Sequence, residues 1–158
     1  MTAPPILTVY LIFYLRYPQM KYITLLLLTI TACQVNKDNA KKQDPTILHD
    51  IWALHTLQGE PYTSGMSAKH PTLEFNVVEK QVSGTDGCNR IFGGIATLTH
   101  EELVFAPLAG TRMMCPDMKI ADAFNKEIGK TAYYTIKDLK LRLLDQDHNE
   151  LMVFRKVD

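Results

Sequence analysis

Apolar positions along this chain follow two regimes. Ile6 to Leu15 and Tyr22 to Ala32 are nearly unbroken apolar runs, whereas beyond Ile47 apolar and polar residues alternate. Leu73, Phe75 and Val77 alternate with Thr72, Glu74 and Asn76, and Leu139, Leu141 and Leu143 alternate with Lys140 and Arg142. A period of two places one set of side chains on each face of a strand, so both stretches are predicted as half-buried strands. Trp52 to Leu57, Gly94 to Thr99, Leu103 to Phe105 and Leu151 to Arg155 are further strand candidates. Turn chemistry separates them at Gln58-Gly59, Thr85-Asp86-Gly87, His100-Glu101-Glu102 and Asp145 to Asn149. One stretch changes period: Ile120, Ala121, Phe124 and Ile128 form a helical stripe. Pro116 suits its first turn, Asp117 the positive end of its dipole, and Gly129 its end. No repeat of fixed period is found. The expected fold class is α+β and strand-dominated, an antiparallel sheet with one late helix.

The opening apolar runs together have the length of a membrane span, but Arg16, Pro18, Gln19 and Lys21 interrupt them. Each central charge costs about 2.5–3.5 kcal/mol of insertion free energy. A parse from Met20 fits better: Met20-Lys21 is a basic n-region and Tyr22 to Ile30 an h-region of signal-peptide length. Met1 and Met20 both remain as starts. Ile30-Thr31-Ala32-Cys33 resembles a bacterial lipobox, where a peptidase cuts before a cysteine that carries diacylglycerol. Gln34 to Pro45 is almost free of apolar groups and reads as a polar tether. The expected organisation is an amino-terminal extension with a signal over 1–32 (the signal itself 20–32). A lipidated Cys33 with its tether follows over 33–46, and a folded domain over 47–158. Gln34 after the cysteine resembles the outer-membrane sorting pattern, so the expected place is the outer membrane, facing the periplasm, with lipid on Cys33 as the membrane contact.

Charge narrows the partners. The chain of 158 residues has 17 Lys plus Arg and 17 Asp plus Glu, a formal net charge of zero. Only Arg16 and Lys21 among these fall within residues 1–32, leaving 15 of the 17 basic residues against all 17 acids beyond. A nucleic-acid binder should show a basic excess, and none exists.

Three cysteines are present, and Cys88 and Cys115 remain once Cys33 is assigned to lipid. In an oxidising compartment an isolated pair is most simply a disulfide, closing a loop of about 28 residues and stabilising by about 3.5 kcal/mol. Two unpaired thiols, or a redox or nucleophilic Cys88, stay open at this point. Five histidines, at 49, 55, 70, 100 and 148, lack metal-ligand spacing, and no phosphate loop or Gly-x-Ser-x-Gly is present. No metal, cofactor or catalytic residue is expected.

What stands out is Val82-Ser83-Gly84-Thr85-Asp86-Gly87-Cys88-Asn89-Arg90, Gly93-Gly94, and then Leu108-Ala109-Gly110-Thr111-Arg112-Met113-Met114-Cys115. With Trp52-Ala53-Leu54 and Pro71-Thr72-Leu73-Glu74-Phe75, these segments resemble the META domain family of HslJ-like lipoproteins. The resemblance runs from about Ile51 to Phe154; Ile95 departs from it, standing where many relatives carry an aromatic residue. It implies a curved, half-open barrel packed around one helix, similar in outline to the cracked barrel of pilotin lipoproteins. It also implies links to heat shock, motility and antibiotic tolerance without enzymology. The motif glycines 84, 87, 93 and 94 are expected at tight turns. Asn89, Arg90 and Arg112 are the candidate partner-binding residues, able to meet an envelope protein or an anionic ligand. The expected function is a non-catalytic, stress-related envelope binding module; the alternative is a periplasmic thiol enzyme using Cys88.

Overall fold

The alternation seen in the sequence becomes ten antiparallel strands in a computed structural model that describes residues 43–157 except Ser64. The expected signal segment and the expected lipid site at Cys33 lie outside the described residues. In chain order the strands are β1 (Ile51–Leu57), β2 (Glu60–Pro61), β3 (Thr72–Asn76), β4 (Gln81–Thr85) and β5 (Arg90–Leu98). They continue with β6 (Leu103–Phe105), β7 (Ala109–Gly110), β8 (Tyr133–Lys137), β9 (Lys140–Leu144) and β10 (Glu150–Lys156). A 3-10 turn, Pro45–Leu48, precedes them, and one helix, α1 (Lys119–Ile128), stands between β7 and β8.

The sheet order is β6-β5-β4-β3-β1-β10-β9-β8, with β2 added to β1 and β7 to β5. Its two outer strands curl toward each other into a nearly closed barrel with one unsealed seam. At the seam Leu103 N–H donates to Ala132 O at 3.0 Å and Tyr134 N–H to Glu101 O at 2.8 Å. Farther along β8 a side chain replaces a strand: Ile136 N–H donates to Gln43 Oε1 at 2.7 Å. Residues 43–46, assigned to the tether by composition, are therefore part of the fold.

Alternate side chains fill the interior, as the period of two requires. Trp52, Leu73, Phe75, Leu103, Tyr134, Leu141, Leu143 and Phe154 are buried together. The polar atoms that this burial brings in are satisfied: Trp52 Nε1 donates to Leu48 O at 3.0 Å, and Tyr134 Oη to Thr99 O at 2.9 Å. Burial pushes the Tyr134 phenol above its usual range. The helical stripe docks on this core, Phe124 meeting Phe154 edge to face at 6.1 Å.

Four readings change. Gly94 to Thr99 is only the second half of a longer strand, β5. The β4 and β8 strands are additional: β8 alternates, Tyr134 and Ile136 against exposed Thr135 and Lys137, whereas β4 has one buried apolar residue, Val82, around Ser83 and Gly84. The helix starts at Lys119 rather than at Pro116, and Asp117 accepts the Lys119 N–H at 2.9 Å. Of the four motif glycines only Gly87 needs a turn conformation, at φ +103°. Gly84, by contrast, lies in β4, where a Cβ would collide with the Thr72 carbonyl oxygen across the ladder. Its role is close strand approach, not turning.

Antiparallel strand directions sort the connections onto two rims. The proximal rim carries the 3-10 turn, the 77–80 turn, the 99–102 connection, the Asp138-Leu139 turn and the chain beyond Lys156. The distal rim carries the β1–β2 turn, the β4–β5 turn, residues 111–118, α1 and the β9–β10 turn.

Candidate functional site

On the distal rim the β4–β5 turn is built around one carboxylate. Asp86 is 1% exposed. Its Oδ1 accepts the backbone N–H groups of Cys88 at 2.8 Å and Asn89 at 2.6 Å, which folds 86–89 into a local loop. Its Oδ2 accepts the Asn125 amide from α1 at 2.7 Å. Gly87 completes the turn, because a side chain there would also run into Ser67. A buried carboxylate is tolerated only with such partners, and Asp86 has them from two directions.

Asn89 then carries the loop across to the second motif segment. Its Oδ1 accepts Met113 N–H at 2.7 Å and the Thr111 hydroxyl at 3.2 Å. Thr111 in turn accepts Arg90 N–H at 3.1 Å through Oγ1 and donates its own N–H to Arg90 O at 3.0 Å. Cys88 and Cys115 are joined by a disulfide, with their Cα atoms 6.0 Å apart. Two segments distant in sequence are thus bound by a covalent link and a hydrogen-bond network.

A cavity of about 210 Å³ opens at this junction, lined by Asp86, Asn89, Ile91, Thr111, Arg112 and Asn125 among others. Arg112 and Arg90 are both exposed, and among the described residues neither guanidinium has an ion pair or hydrogen bond. The two acids closest in sequence are occupied, Asp86 by amide donors and Asp117 by Lys119 N–H. Arg90 pairs by backbone with Thr111, the residue before Arg112, but only Arg112 lines the cavity. Asn89 differs from the expectation that it contacts a partner: it is buried and its oxygen is used within the protein.

Thr111 and Asn125 were not singled out by sequence. Asn125 did leave a signal, a polar residue four positions after Ala121 beside the apolar stripe, and its amide also donates to Ala121 O at 2.8 Å. The histidines are dispersed, each with its own neighbour. His55 lies 3.2 Å from an Arg155 nitrogen; burial first, then the Arg155 and Lys140 charges, hold its pKa below the usual value. His148 stacks on Tyr133 at 4.3 Å. Among the described residues no three His, Cys, Asp or Glu side chains gather at one point. The junction offers hydrogen bonding and positive charge, and both motif sulfurs are bound to each other.

The META domain family matches residues 45–158. A protein solved by NMR is similar at 25% identity and TM-score 0.57, over 72% of this chain and 94% of that one. A second NMR structure, from Burkholderia xenovorans, shares the fold at 22% identity and TM-score 0.53, over 79% and 96%. A DUF4847 family protein from Bacteroides vulgatus, solved by crystallography, aligns at 13% identity and TM-score 0.48, over 70% and 96%. No curated protein matches the chain.

Proposed function

The chain belongs to the META domain family, and from that premise we propose a non-catalytic binding module of the bacterial envelope, anchored by lipid on Cys33. Its distal junction grips an anionic group of a stress-related envelope partner with Arg112 and Arg90. One observation carries the reading: two exposed guanidiniums have no partner of their own on a junction that is otherwise fully cross-linked. Loops held on a rigid scaffold are where binding groups collect, and a guanidinium can grip a carboxylate or phosphate with two parallel hydrogen bonds. Rigidity matters because little ordering entropy is then lost on capture. The thiol-enzyme alternative has less support, since the Cys88 sulfur is bonded to Cys115 and presents no thiolate.

The test is the double substitution Arg90→Ala/Arg112→Ala in the full chain. Both side chains are exposed and unpaired, so folding stability should change by less than about 0.5 kcal/mol. Titration with inorganic phosphate should shift the Thr111 and Met113 amide resonances of the wild type and not those of the variant. The stress tolerance of cells carrying the variant should fall to that of cells lacking the protein. Full tolerance with the double variant, or unfolding, overturns the reading.

A further inference from the structure

Nine large apolar side chains are exposed among the described residues, and five of them stand on the proximal rim: Ile47, Ile51, Val78, Leu139 and Val157. Hydrogen bonds bring the segments that carry them together around that rim. Val157 N–H donates to Ile51 O at 2.9 Å, and Lys156 N–H to Leu139 O at 3.0 Å. Val77 N–H reaches His49 Nδ1 at 3.3 Å, which brings the turn carrying Val78 against the 3-10 turn. An apolar cluster of this kind on a water-facing rim is a contact surface.

Leu139 adds an independent observation. Lys137 pairs with Lys140, so Asp138 and Leu139 form a two-residue hairpin turn, and both have positive φ, +54° and +57°. Glycine or asparagine suits that conformation, and a leucine there is strained. It is also 65% exposed, so burial in the fold does not repay the strain. Val78, at 83% exposure, crowns the other turn of the same rim. A strained, exposed apolar residue points to a function outside the fold itself.

We propose that the proximal rim seats on the lipid bilayer, with Val78 and Leu139 inserted at the boundary between headgroups and acyl chains. The chain enters the fold at this rim, through Gln43 bonded beside β8, ten positions after Cys33. Even fully extended, that stretch spans only about 35 Å, so a lipid on Cys33 holds this rim close to the membrane. The rim carries Lys80, Lys137, Lys140 and Lys156 against Asp44, Asp50, Glu79, Glu101, Glu102 and Asp138, with Lys156 paired to Asp50, so it has no basic excess to draw it to an anionic surface. The contact is therefore apolar and suits a zwitterionic surface. The inference rests on the anchoring of Cys33, and it turns Arg90 and Arg112 away from the membrane.

The experiment uses the full lipidated chain in phosphatidylcholine vesicles, some of them containing phosphatidylcholine brominated near the top of the acyl chain. Trp52 is fully buried and gives a constant background. In Val78→Trp the added emission should drop at least twofold with brominated lipid, equally at 0.1 and 1 M salt. In Met114→Trp, on the distal rim, it should not change. A Leu139→Trp variant repeats the reading from the second turn. Vesicle-bound protein with unquenched Val78→Trp overturns the docking and leaves the anchoring intact. Protein that fails to float with vesicles overturns both. Quenching that needs anionic lipid and vanishes at high salt overturns the apolar contact, and shielding that grows with protein concentration in detergent assigns the rim to a second copy instead.

Discussion

The buried carboxylate of Asp86 accepts a 2.7 Å hydrogen bond from the amide of Asn125, thirty-nine residues later and on the helix. The same carboxylate orders the loop that bears Cys88 and Asn89. One side chain thus couples the position of α1 to the geometry of the junction where the arginines stand.

Asp86→Ala strands four donors, the backbone N–H groups of Cys88 and Asn89 and the side-chain amides of Asn89 and Asn125, and should destabilise the domain by about 3–5 kcal/mol in urea denaturation. Asp86→Asn, which keeps an acceptor oxygen, should cost about 1–2 kcal/mol. In both, hydrogen exchange should rise at Met113, whose N–H is held by the Asn89 oxygen and so hangs from this carboxylate through Asn89. Unchanged exchange in a destabilised Asp86→Ala would separate the two halves of the network.

Replacing both Cys88 and Cys115 by Ala reopens a loop with a sequence separation of 27 residues. Chain entropy puts the loss at about 3.5 kcal/mol. Intact-mass measurement of native wild type should show two protons fewer than after reduction. Quantitative labelling of both thiols without reductant would contradict the disulfide.

Gly84→Ala and Gly94→Ala distinguish close approach from turning. A Cβ on Gly84 collides with backbone at Thr72, which cannot give, so the loss should exceed about 3 kcal/mol. At Gly94 the nearest atom is the Ala106 Cβ at 3.7 Å and φ is ordinary, so Ala should be neutral or stabilise by about 0.5 kcal/mol. Equal losses at both would return the motif to a turn role.

Glu127 links the helix end to the β1–β2 turn, accepting from Gln58 Nε2 at 2.7 Å and Lys130 Nζ at 2.8 Å. Burial works against its charge, but the bonds from Lys130 and Gln58 and the Lys130 and Lys126 charges outweigh it and hold its pKa below the usual range. A carboxylate with a lowered folded pKa stabilises fully above its unfolded value, about 4.3, and loses that contribution as pH falls through the folded value. Glu127→Gln should cost about 1–3 kcal/mol at pH 7. The gap from wild type should close as pH falls below about 4 in denaturation curves; a gap that stays constant as the acid is titrated would contradict the linkage.

Leu139→Gly should raise the stability of the domain away from membranes by about 0.5–1 kcal/mol, because it relieves the positive-φ strain. A loss of stability would mean that the leucine serves the fold after all.

Much of the barrel was legible because its inward positions alternate. Trp52, Leu73, Phe75, Leu141 and Leu143 obey the period of two, and all are buried. The β4 strand was hidden because Gly84 contributes closeness rather than a side chain, which no alternation reports. The cysteine pair and the two arginines were visible as residue types within two segments. The pairing of those segments through Asn89, Thr111 and Asn125 was not, since a hydrogen bond across 22 or 39 residues leaves no local pattern. Nor was the fate of Asn89, whose burial depends on where the second segment returns.

The Gln43 amide oxygen on the Ile136 N–H has a consequence for where this domain ends. It finishes a row of donors that β6 is too short to reach, in place of a neighbouring strand. A fragment begun at Ile47 would bare that row on β8, and an uncovered strand edge is a template for edge-to-edge pairing between molecules. Residues 43–46 look by composition like dispensable leader, yet Gln43 covers part of the barrel's open side.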